Sequence, residues 1–478
     1  MARRGAGLAA GYAISLIGGV GSLALYAHTL DAPDYGRLAV YLAAVEAFQG
    51  VLFQWHRMAL VKFWAVRERG GLASFVATSG WSGAGIACAV VLTMLAARVF
   101  GAQVPVEWLA AIALGLAKSA ALYAQEIARA TGAGVRYACG AILQTAGVAV
   151  AGVFAYRTMH SVGAVLVVSS IVFAATAIII GWPARRLSAG GRFQAADLTA
   201  MFRYGLPLVP VFITTAALTR LDRPILAQFE SAETVGVYAA AATLVANVVT
   251  AACLLVVTPA YPWLLREKER RTDADYRRLH VRTGIAMLAG VLCLSAALYS
   301  ARDAIFPLLL GETLGHAATP LVLPLLGIAI VSAFRTHFLD QAYHLFSRTR
   351  ALMAINAVTL GVAVVALYGG ARFGGLPGLL TGLAIAHGIS AGLSAALARS
   401  FVDLRRLIRE AGVLAGIATA AGTAGALAGI ADMPGGLGKP WQSLLAGLSA
   451  AVVFAIGLYL FNVGRCRSLL SRNHGNTH

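Results

Sequence analysis

Carboxylates are scarce in this chain: 20 Asp and Glu stand against 38 Lys and Arg in 478 residues. Charged residues of both signs reach only 12%, about half the ~25% of a soluble domain. So few charges exclude an ordinary water-soluble fold. Cysteines number 5. Cys88, Cys139, Cys253 and Cys293 lie inside apolar stretches and Cys466 in a basic tail, without the spacing of a disulfide framework or a metal set. They read as packed thiols. No phosphate-cradling glycine motif, metal cluster or nucleophile triad occurs in the sequence, which offers no cofactor site. No polar connection is long enough to fold as a catalytic domain of its own.

Apolar residues make up 59% of the chain and glycines number 52. Apolar segments of ~20 residues, each able to cross a ~30 Å hydrocarbon core, recur throughout. The expected class is an all-α polytopic membrane protein. Its fourteen expected spans are 7–30, 38–64, 73–97, 106–128, 138–156, 161–182, 204–229, 236–262, 283–300, 318–346, 352–370, 376–398, 411–431 and 441–463. An even number puts both termini on one side. Of the Lys and Arg that fall in loops and tails, most lie on that side, among them Arg3, Arg4, Arg185, Arg186, Arg270 and Arg271. Arg37, Arg98, Arg157, Arg302, Arg372 and Lys439 fall opposite. The positive-inside rule then makes both termini cytoplasmic. It also accounts for the net charge of +18 without nucleic acid. Arg3 and Arg4 precede an apolar run that extends to Leu30, too long for a signal peptide, so the run reads as an uncleaved first span.

Two stretches 200 residues apart match in sequence and setting. Asp31-Ala-Pro-Asp-Tyr-Gly36 and Ser231-Ala-Glu-Thr-Val-Gly236 each join the end of one apolar segment to the start of another. Such a repeat suggests two homologous bundles around a common cavity. The expected domains are 1–183, a six-helix bundle; 184–203, a linker; 204–400, a second six-helix bundle; and 401–478, two further helices and a basic tail. An even number of helices per bundle makes the repeat parallel. The linker reads equally as an interfacial amphipathic segment or a solvated loop.

Charges inside the spans cluster on helical stripes. Glu46, Gln49, Phe53, His56 and Arg57 share one in the second span; Lys118, Gln125 and Arg129 share one in the fourth. His337, Gln341, His344 and Arg348 share one in the tenth, beside Arg335 and Asp340. The seventh adds Arg220, Asp222 and Arg223. An intramembrane charge costs at least ~2.5–3.5 kcal/mol, so it faces a cavity or a partner. Arg57, Lys62, Arg129 and Arg348 lie near span ends and could instead snorkel to headgroups. Arg223 could simply pair with Asp222, and His337 and His344 could be helix-contact hydrogen bonders or proton relays. Pro207 and Pro210 mark either a flex point or an entry through the interface.

Several of these residues carry a resemblance. Phe202-Arg-Tyr-Gly-Leu-Pro-Leu-Val-Pro210, Leu221-Asp-Arg-Pro-Ile-Leu226 and Val235-Gly-Val-Tyr238 resemble the seventh and eighth spans of the polysaccharide-biosynthesis (O-antigen type) flippases. These belong to the multidrug/oligosaccharidyl-lipid/polysaccharide exporter superfamily. Thr29–Gly36, Gln125–Ala130 and Asp340–Leu345 resemble the ends of the first, fourth and tenth. The resemblance implies a flippase of the inner membrane. It would move polyprenyl-diphosphate-linked oligosaccharide outward by alternating access, for lipopolysaccharide or exopolysaccharide. It would have membrane lipids, a polysaccharide polymerase and export machinery as partners. A diphosphate needs cations, which Arg57, Lys118, Arg220, Arg223 and Arg335 would supply. Glu46, Asp222 and Asp340 would couple a counter-ion or balance charge, with Glu46 beside Arg57 and Asp340 beside Arg335. Two other readings stand beside this: an ion-coupled multidrug exporter of the same superfamily, which needs acidic residues for cationic drugs, and a membrane polymerase or glycosyltransferase.

Overall fold

The computed structural model describes residue 14 and residues 17–463 other than 68–69, 269, 347, 431–438 and 462. The start of the expected first span, Arg3, Arg4, Arg69 and the basic tail with Cys466 lie outside the described residues. Every regular element among those described is helical, as hydrocarbon demands of a chain that must satisfy its own backbone. The chain forms two compact units, 1–236 and 237–478.

The first unit opens with α1 (Ile17–Ala27), then α2 (Ala32–Leu52), α3 (Gln54–Arg67), α4 (Leu72–Val99) and α5 (Val106–Ala130). Phe53 interrupts the second expected span, and α2 and α3 meet at 45°. Next come α6 (Gly134–Ile142), a π-helical turn (Leu143–Gly147), α7 (Val148–Met159) and α8 (Val162–Leu187). α9 (Ala195–Gly205), α10 (Val209–Thr219) and α11 (Asp222–Leu226) follow, with a 3-10 turn over Leu206–Leu208 at Pro207. α12 (Ala232–Lys268) starts in this unit. Leu60, Trp64, Phe75, Val76, Ile127 and Met201 knit α3, α4, α5 and α9 together.

The repeated turn has the same construction in both copies. Asp31 Oδ1 accepts from the Asp34 amide at 2.8 Å and so caps α2; Ser231 Oγ accepts from the Thr234 amide at 3.2 Å at the start of α12. The glycines five residues on lie against each other. A β-carbon at Gly36 would collide with the carbonyl oxygen of Ala232, and one at Gly236 with that of Ala32. The two helix starts therefore cross backbone to backbone, reciprocally.

The second unit holds α13 (Asp273–Ser300), α14 (Arg302–Leu310), α15 (Glu312–Ala318) and α16 (Val322–Phe334). A π-helical turn over Arg335–Leu339 leads into α17 (Asp340–Leu345), then α18 (Thr349–Ala398), α19 (Leu404–Ile430) and α20 (Lys439–Leu460). α18 is a hairpin. Gly375 breaks it at φ 55°, ψ −138°, a left-handed backbone that suits glycine. Its two arms then run back together: a β-carbon at Gly370 would strike the Gly378 carbonyl, and one at Gly382 that of Ala366. Farther along, Thr359 Oγ1 donates to Ser390 Oγ at 3.1 Å.

Among the described residues, eleven helices are long and apolar enough to cross a membrane, or twelve with the bent α2–α3 pair as one span. The expected fourteen do not reappear as fourteen helices for two reasons. One helix, α18, contains both expected spans 352–370 and 376–398, and the first expected span is only partly described.

Candidate functional site

Phe48 lies two residues beyond Glu46 on α2, and Gly115 makes room for it. A β-carbon at Gly115 would lie 2.7 Å from the Phe48 ring. The close approach of α2 to α5 brings the Lys118 ammonium onto the Glu46 carboxylate, with side chains 20% and 31% exposed. Arg220 at the end of α10 and Arg223 in the first turn of α11 both lie close enough to act on the Glu46 charge. Asp222, between them, is buried. The first unit thus brings four of the sequence-predicted residues together, Lys118, Arg220 and Arg223 around Glu46, with Asp222 between the two arginines in sequence. The same unit has a pocket of about 200 Å³ lined in part by Arg37, Tyr41, Trp108 and Glu230. The Tyr41 and Trp108 rings meet edge to face, 5.0 Å apart.

Arg57 belongs to a second cluster in this unit. It donates to Glu126 Oε1 at 2.9 Å and to Gln54 Oε1 at 3.1 Å. Arg129 holds the other oxygen of Glu126 at 2.6 Å. The expected pairing of Glu46 with Arg57 is replaced by Glu46–Lys118 and Arg57–Glu126. Residues eleven apart share a helical face but stand ~16 Å apart along the axis, and the bend at Phe53 separates them further. His56, from the same expected stripe, is buried between the Ser79 carbonyl and Ser82 Oγ, both at 2.9 Å. Lys62 lies over the Tyr204 ring at 4.1 Å.

In the second unit Arg335 is only 6% exposed. Its guanidinium donates to Asn356 Oδ1 on the first arm of α18, and its Nε lies 3.5 Å from Asp340 Oδ1. Arg335 and His337 sit in the π-helical turn, a feature that recurs at functional sites and shifts the phase of the helix by a residue. The expected stripe through His337, Gln341, His344 and Arg348 assumed unbroken α periodicity; past the turn, His344 is exposed.

Three partners were not singled out from the sequence as site residues. Glu126 joins two arginines, Asn356 takes Arg335, and Asp197 of α9 takes Arg67. Glu126 carried a signal, standing three residues before Arg129 on one helix. Asn356 carried a weaker one, a lone amide in an apolar run.

The fold has known counterparts. A lipid II flippase MurJ in an inward closed conformation superposes with a TM-score of 0.72 at 11% identity, over 97% of this chain and 99% of that one. An inward-facing multidrug resistance MATE family transporter of the MOP superfamily aligns at 0.55 and 12%, over 82% and 97%. The Vibrio cholerae MATE transporter VcmN aligns at 0.51 and 17%, over 84% and 99%. At these identities the likeness is one of fold. No curated protein matches in sequence. The model of the family described as polysaccharide biosynthesis protein matches residues 29–317, more than half of the chain. The resemblance read from the seventh and eighth spans thus has its counterpart at family level, and the chain belongs to the polysaccharide biosynthesis protein family.

Proposed function

We propose that this protein is a flippase that carries a polyprenyl-diphosphate-linked oligosaccharide across the cytoplasmic membrane by alternating access, for cell-surface polysaccharide. The observation that carries the reading is the cluster around Glu46. Three cations, Lys118, Arg220 and Arg223, gather around the Glu46 carboxylate. Cations gathered within the spans are what an anionic group such as a diphosphate would bind, Arg by a bidentate fork and Lys by a point charge. The Tyr41–Trp108 pocket adds aromatic faces beside charged groups, an arrangement that suits a sugar ring with its apolar face and polar rim. A multidrug exporter for cations would want the opposite balance. The substrate lipid and membrane lipids are the partners of this reading, and a polymerase and export machinery would act on the product.

The excess of Lys and Arg in the loops on the side of the termini supports a cytoplasmic location for both. Reporter fusions after Arg186 and Arg271 are expected to read cytoplasmic, and one after Glu312 external. A periplasmic signal at Arg271 would reverse the orientation.

The substrate's charge supplies the functional test. An inside-negative potential is worth ~2.3 kcal/mol per elementary charge per 100 mV, so it drives an anionic diphosphate outward and opposes a cationic drug. Reconstituted protein is expected to translocate lipid-linked diphosphate faster under an imposed inside-negative potential. If the rate ignored the potential but stopped when a Na⁺ or H⁺ gradient was dissipated, carboxylate-coupled antiport through Glu46 or Asp340 would replace this account.

A further inference from the structure

α3 and α9 run along each other as an antiparallel pair, in contact from end to end. Trp55 stacks on Phe202 at 5.1 Å, and a β-carbon at Gly205 would collide with the Trp55 ring. Phe63 meets Tyr204 edge to face at 5.9 Å, Trp64 and Met201 share a core, and Arg67 pairs with Asp197. The Phe202-Arg-Tyr-Gly205 stretch is thus the surface by which α9 grips α3. The first two turns of α4 belong to the same block. Phe75 and Val76 enter the shared core. The backbone leading into α9 is fastened to those turns: the Arg192 N–H donates to Ser74 Oγ at 3.2 Å and the Gln194 N–H to Thr78 Oγ1 at 2.9 Å.

All three helices are weakened where they leave this block. α3 meets α2 at the 45° bend at Phe53. α9 meets α10 at the 3-10 turn Leu206–Leu208, where Pro207 and Pro210 supply no N–H. α4 loses its packing after Ser79: Gly80, Gly83 and Gly85 follow, and from Gly80 to Val99 no residue is buried. The three breaks lie at one level, because Trp55 touches Gly205 while Phe53, Ser79 and Gly80 line a single cavity of about 260 Å³. Its wall on α4 is Gly80, Gly83, Ala84 and Ala87, and Leu116 and Ala120 of α5 stand opposite. Close-packed interiors leave few such voids, and one beside a set of aligned breaks gives the block room to tilt. On the side of α5 the block is held: Arg57 donates to Glu126 at 2.9 Å, and the His56 ring stacks on Tyr123 at 5.4 Å.

We propose that α3, the first two turns of α4 and α9 tilt as one rigid body into this cavity, with the Arg57–Glu126 pair as the latch that holds them. The first unit then moves in two pieces. A tilt of ~15°, of the size seen between packed subunits, carries the far end of a ~21 Å helix such as α3 through ~5 Å. Glu46 stands seven residues from the Phe53 hinge, ~10 Å along α2, so the block gates the Glu46 cluster on the side where α3 lies. The inference goes beyond the flippase reading and does not need it, since no substrate enters the argument.

Distances between paired spin labels test it on full-length protein in phosphatidylethanolamine/phosphatidylglycerol nanodiscs, with the five native cysteines replaced by alanine. Val66 on α3 and Val135 at the start of α6, both exposed, report block against frame. Ala133, beside the second label, packs on α5 and α8 through Ala124, Ala128 and Ile180. Val66 and the exposed Phe193 both lie on the block. The first pair is expected to show two distances ~5 Å apart, and the second pair one. Glu126→Gln is expected to enlarge the tilted population roughly fivefold, the weight of one partly exposed ion pair. Gly83→Leu fills the cavity, since a β-carbon there already lies 3.4 Å from the His56 ring, and should leave only the latched distance. Ala87→Leu, on the same wall, takes its place if that variant fails to fold. Gly85→Leu, where a β-carbon meets nothing within 4 Å, should keep both. A single block-to-frame distance in the parent and in Glu126→Gln would overturn the proposal, as would a tilted population that survives in the filled variant, or two distances within the block pair. Unchanged populations in Glu126→Gln would remove the latch. None of these outcomes depends on glycan export, so the tilt and the flippase reading can fail separately.

Discussion

Lys118→Ala is expected to abolish glycan export while leaving the protein inserted in the membrane. The two outcomes separate because the pair is only partly enclosed, with side chains 20% and 31% exposed. Breaking a fully buried pair costs ~3–5 kcal/mol, and partial exposure reduces this to about 1–3 kcal/mol. Glu46 keeps Arg220 and Arg223 as counter-charges, so the variant retains its fold. The double variant Lys118→Met/Glu46→Gln removes both charges and is expected to recover stability without recovering export. Arg335→Ala makes a contrast. That guanidinium is buried, and its loss takes the counter-charge from Asp340 and a donor from Asn356. Export should disappear together with ~3–5 kcal/mol of stability, and Arg335→Lys should rescue only in part, because an ammonium lacks the planar fork. The measurements are surface polysaccharide in cells and thermal unfolding of purified protein. Normal polysaccharide in Lys118→Ala would remove the Glu46 cluster from the transport path.

Gly36→Val is expected to be among the most destabilising single substitutions in the first unit. Its side chain meets the Ala232 carbonyl, a backbone atom that cannot swing aside as the end of a flexible side chain can. Overpacking a core costs ~1–3 kcal/mol and occasionally more; here, with backbone on both sides, about 3 kcal/mol or more is expected. Gly236→Val meets the reciprocal carbonyl, that of Ala32, and should cost a similar amount. Gly85→Val, where a β-carbon meets nothing within 4 Å, should stay within about 1 kcal/mol of the parent. The check is the midpoint of thermal unfolding in detergent for all three. If Gly36→Val unfolded alongside Gly85→Val, the crossing would not be as tight as described.

The repeated turn was legible because its two ends are local chemistry: an N-cap side chain and a glycine, five residues apart, written twice. The helical class was legible because hydrocarbon permits little else. Ion-pair partners were not. Lys118 reaches Glu46 across 72 positions of chain, and nothing in either local sequence announces the other. The stripe argument named residues on common faces correctly for an ideal helix, but a bend at Phe53 and a π-helical turn at Arg335 lie inside the two richest stripes. Neither break involves a proline in place, so neither was marked. The hairpin in α18 was visible as two spans, and its join at Gly375 was one glycine among many.

That hairpin bears on how the second unit is put together. Its internal contacts join residues close in sequence, Gly370 with Gly378 and, across 31 positions, Thr359 with Ser390. Short loops close quickly and with little entropic penalty, so the two arms can zip as soon as both have been synthesised. Two groups already in the chain then find their acceptors on it. Arg335 meets Asn356 on the first arm, and the Tyr343 hydroxyl donates to the Ser394 carbonyl on the second at 2.6 Å. A buried guanidinium therefore waits, during biogenesis, for a later-made segment to satisfy it. Truncation before the second arm would leave Tyr343 without its acceptor, and truncation before Asn356 would leave Arg335 with Asp340 alone.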